Sequence, residues 1–402
     1  MNFILFDGKA RQQLMPLTTT RPIADIRLGI LTIRQKWETY FSQTTSTLTV
    51  KYLQPLYPLH LEQDNVFING SVLPNASLAY QIARLQPNHA ITHGNTVLAL
   101  RVEGKFPSLL HTTSGEVRPI IDDFKRQEPD APFLKINYLW DIYSLNGVAI
   151  QQDFELLTLN RTSAPISPTN QVINPDAVFI EPGASVECAI LNASQGPIYV
   201  GKGAEIMEGA IIRGSFALGE HAQVKMGAKI YTNTTIGPHS KVGGEVSNSV
   251  ILGYSNKAHD GFLGNSVLGE WCNLGAGTNN SNLKNNYSEV KIWSYAQEQY
   301  INTGQQFCGL FMADHSKCSI NTMFNTGTVV GVGCNIFGSG FPPKYIPSFS
   351  WGGSQGFVSY QFNQFLHTLK AVYARRNKTI SDAETAMLKY IFEKSKVNEL
   401  SI

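Results

Sequence analysis

Charge is scarce in this chain. Asp, Glu, Lys and Arg make up 15% of its 402 residues, against about a quarter in typical soluble domains. The 32 basic and 30 acidic residues leave a net charge of +2. No basic surplus is therefore available for nucleic acid or an anionic membrane. Long apolar runs are missing too: none reaches the ~18 residues that a membrane-spanning helix requires. The opening segment, Met1 to Gly8, is too short and wrongly flanked for a secretory signal. Cysteine is limited to Cys188, Cys272, Cys308, Cys318 and Cys334. An odd count without paired spacing or a C-x-x-C argues against a disulfide framework and against zinc. Free thiols in the reducing cytoplasm are the expectation. What the chain has in quantity is glycine, 34 residues, and enough length for two or three domains.

A six-residue repeat fills the middle. Val200, Ile206, Ile212, Leu218, Val224, Ile230, Ile236 and Val242 follow one another six apart. Four residues after each come Ala204, Ala210, Phe216, Ala222, Ala228, Thr234, Ser240 and Val246, mostly small, and Gly201, Gly219 and Gly237 recur every eighteen. Ile180 and Val186 start the pattern upstream; Phe262, Leu268 and Leu274, then Met312, Cys318, Phe324, Val330 and Ile336, repeat the six-residue spacing downstream. Neither a 3.6-residue nor a 2-residue period explains this. A triangular parallel β-helix does. Each hexad supplies a short strand and a corner, three hexads close a coil, and the aliphatic residues stack inside at the ~4.8 Å spacing of neighbouring strands. This period marks the left-handed β-helix.

Residues 1–160 read as an α/β domain. Asn2–Phe6, Val66–Ile68 and Thr96–Val102 have strand character, Ala76–Leu85 is helical, and Ile23, Ile26, Ile30, Ile33 and Trp37 predict a helix over Arg21–Tyr40. Residues 161–174 form a Ser/Thr/Pro/Asn linker, 175–340 the β-helix, and 341–402 a Pro/Gly/aromatic loop followed by C-terminal helices.

Two stretches carry a family resemblance. Asn256-Lys257-Ala258-His259-Asp260-Gly261-Phe262-Leu263-Gly264, then Asn273-Leu274-Gly275-Ala276-Gly277-Thr278 and Asn282-Leu283-Lys284, resemble the acetyltransferase segment of the bacterial N-acetylglucosamine-1-phosphate uridyltransferase/glucosamine-1-phosphate acetyltransferases. They also resemble the archaeal sugar-1-phosphate nucleotidyltransferase/acetyltransferases. At the amino terminus, Phe3-Ile4-Leu5 and the loop Gly8-Lys9-Ala10-Arg11 before Pro16-Leu17-Thr18 are similar to the opening of sugar nucleotidyltransferases, including the glucose-1-phosphate thymidylyltransferase-like group.

The resemblance implies two transferase sites. In the β-helix it makes His259 the catalytic base, Glu245, Asn273 and Asn282 residues of the sugar and acyl pocket, and Lys291 a residue near acetyl-CoA. A neutral imidazole suits the step, since an amine loses a proton as it attacks a thioester. In the first domain it makes Gly8, Lys9, Arg11 and Arg21 the residues that hold nucleotide or sugar phosphate. The chain departs from the pattern at six places. Arg11 stands for a loop glycine and Arg21 for a lysine. Ser247 stands for a lysine, Phe262 for a tyrosine, Gln13 for the loop arginine, and Ser71 for the aspartate that binds Mg²⁺. No metal ligand is therefore assigned, and Mg²⁺ would need another carboxylate. The expected partners are a sugar phosphate, a nucleoside triphosphate and two further copies of the chain in a homotrimer. A metal hydratase on the same β-helix would need a close histidine pair, which His221, His239, His259 and His315 do not supply. A non-catalytic trimeric scaffold with degenerate sites is the alternative.

Overall fold

A computed structural model describes residues 1–104, 110–113 and 116–395. The chain divides into two compact units. The first comprises Met1–Ile26, Leu31–Tyr138 and Asp382–Met387; the second comprises Arg27–Ile30, Leu139–Ser381 and the segment from Leu388 onward.

In the first unit a six-stranded sheet runs in the order Ser46–Leu48, Asn2–Phe6, Asp64–Asn69, Thr96–Glu103, His89–His93, Lys125–Gln127. The pairs flanking Asn2–Phe6 are parallel, and Thr96–Glu103 runs antiparallel to both its neighbours. Ile4, Phe6, Phe67, Ala90 and Leu100 build its core. The helices are α1 (Ala10–Gln13), α2 (Ile33–Phe41) and α3 (Ala76–Ala83). The helix predicted over Arg21–Tyr40 is confined to α2, which opens on a capping box between Thr32 and Gln35. The preceding residues break away because Gly29 takes the left-handed conformation (φ 82°). A Cβ there would lie 2.8 Å from the Ala149 backbone.

The second unit opens with α4 (Leu139–Ser144) and α5 (Asn146–Thr158), which the sequence reading had grouped with residues 1–160. Asn146 and Asp153 of α5 accept the N–H groups of Gly29 and Ile30, each at 2.7 Å. The body of the unit is a left-handed β-helix of about 10 turns. Its three faces are parallel sheets of six, nine and ten strands; an antiparallel hairpin, Ser350–Gly353 with Gly356–Ser359, closes the last.

Register accounts for the repeat. Val200 pairs with Leu218 and Leu218 with Ile236, and all eight hexad aliphatics are buried. At Gly237 a Cβ would come within 2.0 Å of the Leu252 carbonyl, so glycine is required where one coil's backbone crosses close to the next. The coil length then changes. Ile236 pairs with Ile251, a coil of fifteen, and Ile251 with Leu268, a coil of seventeen. Two expectations shift in consequence: Val246 is an inward aliphatic paired with Ile230, and Leu263 rather than Phe262 points into the prism.

Leu268 next pairs with Met312. The long coil between them carries an excursion that includes the hairpin Lys291–Ser294 with Gln299–Asn302. The prism is also longer than 175–340. Gln171–Ile173 is already a rung, and Tyr345–Ile346 and Ser350–Gly353 are rungs inside the expected loop. After it come α6 (Phe362–Ala374) and α7 (Asp382–Lys394).

One corner of every coil needs a left-handed residue. There His221, His239, Tyr254, Trp271 and His315 have φ between 52° and 63°, an uncommon place for aromatic side chains. Their rings stack. Centroids are 5.3 Å apart for His221–His239, 4.8 Å for His239–Tyr254 and 4.4 Å for Tyr254–Trp271, and Tyr373 of α6 continues the column 4.3 Å from Trp271.

Candidate functional site

Along the ten-stranded face the outward residues of successive rungs include Gln223, Lys241, Asn256, Asn273, Lys317 and Asn335. The end of α6 lies over this ladder, held by Arg376 donating to the His239 carbonyl (3.0 Å) and by the Lys378 ammonium 4.8 Å from the Tyr254 ring centre. Between them is a cavity of about 590 Å³. His259 stands at its rim, exposed, with Asn273 and Asn256 on the wall.

The cavity is cationic. Lys241 and Lys317 line it from the prism and Arg375 and Arg376 from the end of α6, with no carboxylate among the described lining residues. Burial pushes the Lys241 amine below its ordinary value, and Arg376, Lys225 and Arg375 push it further, against Glu205. Lys317 is pushed down by burial. Asn256 Oδ1 is buried without a hydrogen-bond partner among the described residues. That amide oxygen calls for a hydrogen-bond donor from whatever enters.

One lysine does not face the cavity. Lys257 takes an inward position between Val242 and Leu274, 2% exposed. Its ammonium donates to the His259 carbonyl. Burial pushes this amine down to about 8, with Asp260 opposing.

The structure thus brings His259 and Asn273 together. It places Glu245 and Asn282 elsewhere. Glu245 is an outward residue of the six-stranded face, in register with Phe262. Asn282 donates to Asn265 (2.8 Å) and lies over Gly264 beside the Phe262 ring. Lys291 is in neither group: it opens the excursion hairpin, exposed, while its carbonyl accepts the Lys344 amine at 2.9 Å. The sequence reading missed Lys241, Lys317, Arg375 and Arg376. For the first two the hexad register was a usable signal, since they are in register with Gln223 and Asn273 on one face.

In the first unit, Gly8 and Lys9 follow the first strand, with Lys9 exposed and the Asn69 side chain beside Gly8. Arg11 turns inward, 2% exposed. It donates to Asp7 (2.8 Å), the Arg21 carbonyl (3.2 Å) and the Tyr52 hydroxyl (3.0 Å). Asp7 also accepts from the Ile23 N–H and the Thr49 hydroxyl. The expectation that Arg11 grips phosphate is therefore corrected: its donors knit the loop to the sheet. Arg21 is likewise buried, 4% exposed, which leaves Lys9 as the exposed cation of the loop. Ser71 directs its N–H and hydroxyl to Asn69 Oδ1 at 3.1 and 2.7 Å. No group of three or more His, Cys, Asp and Glu suited to a metal occurs among the described residues. No helix among them is long and apolar enough to cross a membrane.

The architecture is an α/β domain followed by a β-helix built on six-residue repeats. Residues 3–162 match the family described as sugar nucleotidyl transferase. A bifunctional sugar-1-phosphate nucleotidylyltransferase/acetyltransferase of Sulfurisphaera tokodaii is 33% identical over 93 residues, 23% of this chain and 23% of its own. The bifunctional protein GlmU of Methanocaldococcus jannaschii is 30% identical over 92 residues, 23% of this chain and 22% of its own. The matched segments therefore span less than a quarter of either relative's length. Among solved structures, Arabidopsis UDP-N-acetylglucosamine acyltransferase aligns with a TM-score of 0.31 at 13% identity, over 59% of this chain and 99% of that one.

Proposed function

We propose that the chain is a transferase of sugar-nucleotide synthesis whose β-helix transfers an acetyl group from acetyl-CoA to the amine of an amino-sugar phosphate. The observation that carries this reading is the cavity beside His259, cationic on two sides and free of carboxylate. Both substrates are phosphorylated, and four cations fit phosphates where a neutral or cationic ligand would leave them in mutual repulsion. In the reaction the amine nitrogen bonds to the thioester carbon while His259 takes its proton. The carbon–sulfur bond then breaks, and the proton passes to the departing thiolate. Asn256 and Asn273 supply amide groups to orient the reactants. The test is formation of free CoA thiol from acetyl-CoA and glucosamine-1-phosphate; no thiol release with any amino-sugar phosphate would overturn the reading.

Assembly as a cytoplasmic homotrimer belongs to the same proposal. The nine-stranded face is covered by α5 through Ile30, Ile150, Phe179, Tyr199 and Ala217. The six-stranded face instead carries exposed Ile173, Ile211 and Tyr231, apolar area suited to a second copy. Light scattering at micromolar concentration is expected to give three times the chain mass; a monomer would exclude the assembly.

For the first domain the buried Arg11–Asp7 pair and Ser71 favour binding over turnover. Nucleotidyl transfer needs Mg²⁺ and cations around the reacting phosphate, and here the loop offers Lys9 while Ser71 replaces the metal-binding carboxylate. Calorimetry is expected to show binding of a nucleoside triphosphate or sugar-1-phosphate, weakened by Lys9→Ala. Pyrophosphate release from UTP, dTTP, GTP or CTP is expected to be slow, and rapid Mg²⁺-dependent release would contradict this.

A further inference from the structure

Of the first eight inward positions along one edge of the prism, seven are filled by Val186, Ile206, Val224, Val242, Leu274, Cys318 and Ile336. The eighth, between Val242 and Leu274, is Lys257. An ammonium in an apolar stack is unfavourable unless it is hydrogen-bonded, and any aliphatic residue would fill the place. What the lysine does there is shown by its acceptor.

In the corner that follows, the carbonyls of Lys257, Asp260 and Gly261 accept backbone N–H groups from Gly243, Gly277 and Glu245. The His259 carbonyl accepts the Lys257 ammonium instead. His259 is thus anchored from inside the prism while its imidazole faces the cavity. We propose that Lys257 is a positioning residue: from inside the coil it fixes the backbone of His259, and so the place from which the imidazole reaches the acyl-transfer site. The inference rests on the reading of His259 as the base, and its experiment separates the two.

Lys257→Met replaces the ammonium with an unbranched apolar chain of similar length, and Lys257→Val copies the neighbouring rung. Both are expected to fold, with a melting temperature at pH 7 equal to or above that of the parent. Turnover of acetyl-CoA should fall by about tenfold to a hundredfold, the cost of a base displaced by about an ångström, while KM for acetyl-CoA stays within about twofold.

A second readout does not depend on turnover. His259–Asp260 is the one His–Asp step in the chain, so carbonyl-¹³C histidine with ¹⁵N aspartate gives a single carbonyl–amide correlation. That carbonyl signal is expected to move upfield in both variants as its charged donor is lost. An unmoved signal overturns the proposal. So does a moved signal with undiminished kcat in a chain that His259→Ala inactivates. If the parent transfers no acetyl group, the reading of His259 as base fails; the carbonyl signal alone then decides whether Lys257 holds that corner.

Discussion

His259→Ala is expected to lower kcat for acetyl transfer by about 10² to 10⁴, the range that a general base contributes, with little change in KM for acetyl-CoA. The split follows from the division of labour around the cavity. On the proposed reading the imidazole at the rim acts on the incoming amine, whereas the cations that suit phosphate are Lys241, Lys317, Arg375 and Arg376. Removing a group that acts in the transition state lowers kcat and kcat/KM together and leaves ground-state binding intact. Steady-state kinetics at saturating amino-sugar phosphate is the measurement. An undiminished kcat would remove His259 from the reaction, and a large rise in KM with kcat unchanged would make it a binding group instead.

Ile230→Ala is expected to destabilise the β-helix by about 2–5 kcal/mol, the cost of a large aliphatic truncated in a packed interior. Ile230 is 2% exposed and in register with Ile212 on one coil and Val246 on the next. A cavity there is bounded on both sides by rungs that cannot collapse without breaking register, which favours the upper part of the range. Denaturant unfolding followed by far-ultraviolet circular dichroism measures it. A loss below about half a kcal/mol would mean that Ile230 does not carry the stack.

The β-helix was legible because its period is long, regular and unlike that of any helix or sheet. Eight aliphatics six apart leave one architecture. The reading slipped where coils change length. Between Ile236 and Ile251 three residues are dropped, two before Val246 and one after it, and a count of six back from Leu268 assigns Phe262 to the place that Leu263 takes. It also stopped at Phe341, because Pro342, Pro343 and Pro347 look like loop punctuation although the rungs Tyr345–Ile346 and Ser350–Gly353 lie around them.

The site was half legible. His259 and Asn273 lie on neighbouring coils, in two stretches of one motif, and the fold brings them to the same cavity. Lys291 falls beyond the motif, on a hairpin whose course no spacing reveals. Arg375 and Arg376 reach the cavity through the packing of α6, a tertiary event with no local signature. In the first unit, Arg11 shows the limit of reading charge as function. An arginine four residues after an aspartate is equally a buried pair, and here that is what it forms.

The coil that contains the excursion hairpin has a consequence for how the chain could be divided. In a solenoid each rung is held by its nearest neighbours in space, and stability is close to a sum over those interfaces. Leu268 stacks on Met312, and Leu274 on Cys318, as though no residues intervened. Covalent continuity through the hairpin turn therefore adds little to what the stacked rungs already hold. A polypeptide severed between Tyr295 and Gln299, or expressed as two fragments meeting there, would reassemble edge to edge by strand pairing, which makes this turn the natural place to split the molecule or to insert a foreign domain.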